Sequence, residues 1–328
     1  MKRHVSVHME NWVAKIPFRI SRHTSYDFPC VVCEISQNGV IGRGEALGVY
    51  YFGDTEQSML EQLQSIEDEL ANGAGREALL ELLPPGGPRF AADAALWDLE
   101  AQLSGRSAWE TAGVSEDPIE SVFTIGLEPE PGDMAERAAA ASDLTLLKIK
   151  LNHDRPVERI KAIRDARPDI RMFVDVNEGW DFEQLKAVAP ELAQLGIDFI
   201  EQPLRRDHDE VLEDYDCPLP LCADESVQHV GEIDAAAARY QMINIKLDKA
   251  GGLTHGLEMA AAIRAKGLGL MVGCMGGTSL CMAPHHVIGH LADYVDIDGP
   301  LLLKNDRLDG FIYKGGMVSL PDSRLWGR

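Results

Sequence analysis

Basic residues are scarce in this 328-residue chain: 31 lysines and arginines stand against 53 aspartates and glutamates, a formal net charge of -22. So acidic an average surface repels phosphate backbones and anionic membranes, which argues against a nucleic-acid partner. Long hydrophobic runs are missing too. No stretch approaches the roughly 20 apolar residues of a membrane span, and the N-terminus has no apolar signal core, so a cytoplasmic protein without a membrane partner is expected. Cysteine is sparse: six residues, at 30, 33, 217, 222, 274 and 281, are too scattered for a disulfide framework and suit a reducing compartment. Cys30 and Cys33 have metal-ligand spacing, but they sit in a β-like run where positions three apart face opposite ways, so zinc is not expected there. The chain also lacks a glycine-rich phosphate loop after its first strand, and the strands lack the paired histidines of a metal-dependent hydrolase.

What is present is ample apolar material, 45% of residues against 26% charged, enough to fill a large core. From about residue 120 a short apolar strand followed by an amphipathic helix recurs. The strand candidates are 121–126, 146–150, 172–177, 199–203, 221–226, 242–247, 269–274 and 294–299, with helical segments such as 156–166, 181–195 and 253–266 between them. Eight buried strands alternating with helices predict an α/β fold, a modified (β/α)8 barrel over 119–307. Residues 1–118 read differently. They carry β-like stretches near 13–20, 31–36 and 40–45 and helical ones near 56–71 and 89–103, an α+β capping domain that the tail 308–328 is expected to complete by pairing with it.

The chemistry lies at the strand ends. Lys150, Asp175, Glu201, Asp224 and Lys249 follow one another at intervals of 25, 26, 23 and 25 residues, which places them around the C-terminal mouth where barrel enzymes build their sites. Three carboxylates converging in one cavity repel unless protonated or held by a hard divalent cation, and Mg2+ is the economical answer. Lys148 and Lys150 share one strand face, with Lys246 and Lys249 across the ring, so the cation would sit between two lysine sites. A positive neighbour favours the neutral form of a lysine, the form that acts as a base, and the arrangement suits proton transfer at either face of one carbon. Lys148 and Lys246 also have a plainer reading as ion-pair partners of the acids. Asp296 and Asp298 lie on one strand face and would attract a cationic group of the substrate, or hold a second metal.

Lys148-Ile149-Lys150, Asp175-Val176-Asn177, Glu201-Gln202-Pro203, Asp224-Glu225-Ser226 and Lys246-Leu247-Asp248-Lys249-Ala250-Gly251-Gly252 together resemble the enolase superfamily, muconate-lactonizing subgroup. The resemblance covers nearly the whole chain and reaches the cap at Ala95-Leu96-Trp97-Asp98-Leu99. Asp296-Ile297-Asp298 is similar to the motif with which dipeptide epimerases hold the α-ammonium of a dipeptide. The resemblance implies that Asp175, Glu201 and Asp224 bind Mg2+, that Lys150 and Lys249 are the acid/base pair assisted by Lys148, and that Asp296 and Asp298 bind substrate. The implied reaction inverts the α-carbon of the C-terminal residue of a dipeptide through an enediolate. A homo-oligomer is the expected assembly. Where Ala-Glu epimerases carry an arginine that reads the glutamate carboxylate this chain has Ser25, with Arg19, Arg22 and His23 nearby; Tyr51 and Phe52 in the second cap loop would favour an apolar side chain. A cycloisomerase, an o-succinylbenzoate synthase-like lyase or an N-acylamino acid racemase would share the metal and lysines without needing the acid pair, and a non-catalytic ligand-binding barrel would need none of them.

Overall fold

A computed structural model describes residues 2–20 and 24–328. Three antiparallel strands open the chain, β1 (His4–Arg19), β2 (Thr24–Gln37) and β3 (Val40–Leu47), in the order β1-β2-β3. β1 begins nine residues before the β-like stretch at residue 13. Its burial pattern is mostly intermediate and exposed, so the apolar periodicity that marks a strand is weak there. The helix Gly87–Ser104 packs on β3, and small residues set the approach: a Cβ at Gly42 would strike the Ala95 carbonyl and one at Gly44 the Ala91 carbonyl. Alanines at 91, 92, 94 and 95 supply the matching flat helix face, all of them fully buried.

The short strand β4 (Ile119–Glu120) leads into β5 (Phe123–Ile125), β6 (Leu146–Lys150), β7 (Arg171–Asp175), β8 (Ile197–Glu201), β9 (Leu221–Ala223), β10 (Met242–Lys246), β11 (Gly269–Gly273) and β12 (Tyr294–Val295). These last eight form one parallel sheet in sequence order. Its edges meet where Val122 N–H donates to Val295 O and Ile297 N–H donates to Ser121 Oγ, closing the ring. The strand positions agree with the sequence reading, though several strands stop before the motif residues, which sit just past the last ladder bond.

Inward positions along the strands fall in layers two residues apart, as a pleated strand demands. Val122, Leu146, Phe173, Phe199, Cys222, Met242 and Met271, with Tyr294 against them, make an apolar floor to which every strand contributes one residue. Phe173 and Phe199 stack at 4.3 Å between ring centroids. Two residues further along come Thr124, Lys148, Asp175, Glu201, Asp224, Asn244, Gly273 and Asp296, and the apolar floor gives way to charge.

The tail forms β13 (Tyr313–Lys314) and β14 (Met317–Val318), which pair with each other and with β4. They do not join the cap sheet: the tail starts beside Ser279, past the end of β11, and runs on to pair with β4, ahead of the first barrel strand. Contact with the cap comes later and without strand pairing: the Trp326 indole donates to Ala94 O at 2.9 Å, Gly327 N–H donates to Asp98 at 2.8 Å, and Arg43 donates to Leu325 O. Among the described residues no helix is long and apolar enough to cross a membrane.

Gly44→Ala is expected to lower the unfolding free energy by about 3 kcal/mol, the upper range for overpacking, because the atom met is rigid backbone. Urea denaturation followed by circular dichroism checks this; an unchanged midpoint would mean that the helix can lift off β3 without loss.

Candidate active site

Lys148 occupies the centre of the charged layer. Its Nζ lies 3.0 Å from Asp175 Oδ2, 2.9 Å from Glu201 Oε2 and 2.9 Å from Asp296 Oδ2. Burial pulls its ammonium down, but the three carboxylates outweigh burial and hold its pKa above the ordinary lysine range. Lys150, one inward step further along β6, donates to Asp175 Oδ2 at 2.6 Å and to Asn177 Oδ1 at 3.0 Å. Across the ring Lys246 Nζ lies 2.7 Å from Asp224 Oδ2. β6 and β10 are four positions apart in an eight-stranded ring, so Lys150 and Lys246 face each other across the mouth, with the ends of β7, β8 and β9 between them.

Asp175, Glu201 and Asp224 are fully buried and sit at those three ends. Burial raises the Glu201 carboxyl, and the nearby charge of Asp175 raises it further. Burial acts on Asp175 and Asp224 as well, but the surrounding lysines outweigh it and hold both low. Glu201 Oε2 and Asp224 Oδ2 lie close to Lys148 and Lys246 yet have no aligned hydrogen-bond donor. Three convergent carboxylates with under-used oxygens are the donor set a hard divalent cation prefers. The residues fit Mg2+.

Gln202, in the left-handed region at φ 36°, holds this geometry. Its Oε1 accepts from Asp224 N–H and Ser226 N–H, while its Nε2 donates to Leu204 O, Ser226 Oγ and Tyr240 OH, so one buried amide ties the ends of β8 and β9 together. Asn244 Nδ2 donates to Glu201 Oε1 at 2.8 Å. Gly273 leaves that amide its room, since a Cβ there would come within 2.8 Å of it. Sequence reasoning gave no role to Gln202, quoted only within its motif, and passed over Asn244 and Gly273. For Asn244 and Gly273 the signal was their place in the two-residue inward register.

Lys148, Lys150, Lys246, Asn177, Glu225, Asp296, Asp298, Tyr50 and Tyr51 all line one cavity of about 80 Å³. Lys249 does not. It lies on the helical turn Leu247–Ala250, 1% exposed, with its ammonium donating to Asp224 Oδ1 and to the carbonyls of Asp224, Val227 and Asn244. The expectation that Lys249 is the second acid/base group is therefore corrected: its ammonium is spent on fixed acceptors outside the cavity, and Lys246, on the strand itself, faces Lys150 instead.

Asp296 and Asp298 are 4% and 2% exposed at the end of β12. Thr124 N–H donates to Asp298 Oδ2 at 2.6 Å, and Asp296 Oδ1 is buried without a hydrogen-bond partner. Tyr51 contributes a buried hydroxyl to the cavity, and Phe52 stands behind it, edge-on at 5.2 Å, without reaching the lining. Ser25 is also outside this cavity. It lines an adjoining recess of about 380 Å³ that shares Phe18, Ile20, Phe28, Tyr50 and Met275 with it. Arg22 and His23 lie outside the described residues, and Arg19 lines a separate cleft with Arg137 and Glu128.

Two family models match. Residues 2–113 fit the mandelate racemase / muconate lactonizing enzyme N-terminal domain, and residues 132–324 fit the enolase C-terminal domain-like model. The L-Ala-D/L-Glu epimerase of Escherichia coli is 38% identical over 93% of this chain and 95% of its own length. An enolase family member from Agrobacterium tumefaciens with homology to dipeptide epimerases, solved with sodium and L-Ala-L-Glu, superposes with a TM-score of 0.96 at 38% identity, covering 99% of this chain and all of that one. The dipeptide epimerase of Methylococcus capsulatus, solved with Mg and L-Arg-D-Lys, gives a TM-score of 0.90 at 28% identity over 98% of this chain and 99% of that one.

Lys249→Met is expected to cost about 3 kcal/mol of stability, in the range for breaking a buried ion pair, because it takes this donor from part of the Asp224 charge and from three carbonyls. Chemical denaturation of the metal-free protein measures this, and a variant as stable as the parent would return Lys249 to the list of mobile, reactive lysines.

Proposed function

The chain belongs to the mandelate racemase / muconate lactonizing enzyme family of the enolase superfamily, and from that membership and its strand-end groups we propose that it is a Mg2+-dependent dipeptide epimerase. The observation that carries this reading is the opposition of Lys150 and Lys246 across the carboxylate triad, with the acid pair Asp296 and Asp298 on the same cavity wall. Asp175, Glu201 and Asp224 would hold the cation. When bound, Mg2+ supplies Lewis-acid stabilisation of the negative charge that builds up on the substrate carboxylate as the α-proton leaves.

The residues of the chain do the rest. Asp296 and Asp298 take the free ammonium of the dipeptide, which fixes the direction in which the peptide lies across the mouth. Its C-terminal α-carbon then stands between two lysine nitrogens on opposite faces. One, neutral, removes the proton, and the other, as ammonium, delivers one to the opposite face; in the reverse direction they exchange roles. Lys148, kept as an ammonium by Asp175, Glu201 and Asp296, adds fixed positive charge beside Lys150 and the carboxylate. Tyr50, Tyr51, Phe18 and Phe28 wall the cavity from the cap side and limit water access.

The variable side chain of the dipeptide would enter the adjoining recess, whose walls include Phe18, Ile20, Phe28, Pro29, Leu47 and Met59. With Ser25 rather than an arginine on that wall, an apolar side chain is favoured over a glutamate. An N-acylated substrate is disfavoured because a blocked amine would leave Asp296 Oδ1 buried without a partner.

Incubation in D2O with Mg2+ and a library of L,L-dipeptides, read by mass spectrometry and diastereomer separation, is expected to show one deuterium gained at one α-carbon together with epimerisation. Lys150→Ala and Lys246→Ala are each expected to lose about a thousandfold in epimerisation, within the usual range for an acid/base group, while keeping slow exchange from one epimer only. No exchange with any dipeptide in the metal-loaded protein would overturn the assignment. Ser25→Arg is expected to raise turnover of L-Ala-L-Glu relative to L-Ala-L-Phe, and an unchanged ratio would remove Ser25 from the specificity wall.

A further inference from the structure

We propose that Cys274, Asp296 and Asp298 form a second cation site, distinct from the carboxylate triad and suited to a soft divalent ion such as Zn2+ or Cd2+. β11 and β12 pair in parallel, Met271 with Tyr294 and Val272 with Val295, and both end at the cavity. Continued one step, this register sets Gly273 opposite Asp296; Cys274 is the next residue, and its thiol meets the carboxylates beyond the end of the ladder. Donor atoms of Cys274, Asp296 and Asp298 lie within 4.8 Å of one another. All three residues line the cavity.

Acidic pairs are common without a cation, but this one carries a buried oxygen with nothing to bind. Asp296 is 4% exposed; Lys148 takes its Oδ2, and its Oδ1 has no hydrogen-bond partner. Asp298 is anchored from the other side by Thr124 N–H. Tetrahedral zinc with one sulfur and two oxygens needs donors about 3.5 Å apart, so the cluster must close by roughly 1 Å, which side-chain rotation of a cysteine and an aspartate can supply. Coordination releases the thiol proton to solvent and leaves a thiolate. The thiolate and two carboxylates then carry three negative charges, of which the dication offsets two; the Lys148 ammonium, shared with Asp175 and Glu201, offsets part of the third. Sulfur also separates the two sites: the triad offers oxygen alone and suits Mg2+, whereas a thiolate selects the softer ion.

Because Asp296 and Asp298 are the groups assigned to the substrate ammonium, a soft cation there would compete with the dipeptide; that consequence, unlike the binding itself, rests on the proposed function. The test is a Cd2+ titration of the full-length protein saturated with Mg2+, followed by the ultraviolet charge-transfer absorption of a Cd–thiolate bond. One equivalent of absorbing complex is expected in the parent, none in Cys274→Ala, and at least tenfold weaker binding in Asp298→Asn, which keeps the thiol and the side-chain shape. No absorption in the parent, absorption persisting in Cys274→Ala, or equal affinity in Asp298→Asn would each overturn the site. Absorption reads binding and not turnover, so an inactive epimerase leaves the proposal standing. If the complex forms as expected and no dipeptide displaces Cd2+, the cation site holds and the substrate-ammonium assignment falls.

Discussion

Everything at the mouth of this barrel depends on holding six buried carboxylates, Asp175, Glu201, Asp224, Glu225, Asp296 and Asp298, within reach of four buried lysines, Lys148, Lys150, Lys246 and Lys249. Desolvating so many charges is costly, and the cost is offset because each lysine touches at least one carboxylate and further donors come from the Asn177 and Asn244 amides and from backbone N–H groups. Formally the set is two positive charges short, which is what one divalent cation supplies. The same deficit that destabilises the metal-free ring thus defines the ligand it accepts.

The two-residue inward step explains how the fold carries this ring. A floor of one apolar or aromatic side chain per strand excludes water from below, and the next inward position on each strand is free to bear charge because the hydrophobic contacts are already made one step down. Gln202 and Asn244 then convert a set of strand ends into a fixed constellation, tying β8 to β9 and β10 to β8.

Much of this could be read from the residues alone. Apolar triplets ending in Asp175, Glu201 and Asp224 announce strand ends because a parallel strand buried on both faces reads as an uninterrupted apolar run. Lys246 and Lys249 show where that reasoning fails: even spacing of about 25 residues pointed to Lys249, yet spacing does not reveal where the strand stops and a helical turn begins. β10 ends at Lys246, and three residues later the side chain points into backbone carbonyls. The early half of β1 was silent because its faces are only partly buried, and the pairing of the tail with β4 was silent because two-residue strands carry no periodicity. Gln202 stood in the Glu201-Gln202-Pro203 motif, but its role could not be read there, since it lies in contacts across two neighbouring loops.

The hold of Trp326 and Gly327 on the cap joins positions 232 and 229 residues apart. The acceptors, Ala94 O and the Asp98 carboxylate, lie on the helix that packs against β3, while the donors lie beyond the last barrel strand. The wall of the cavity that comes from the cap, Tyr50 and Tyr51, follows directly after β3. The clasp thus encloses all eight barrel strands in one loop of 229 residues or more, and closing so long a loop weighs on the rate of folding more than on the stability of the finished fold.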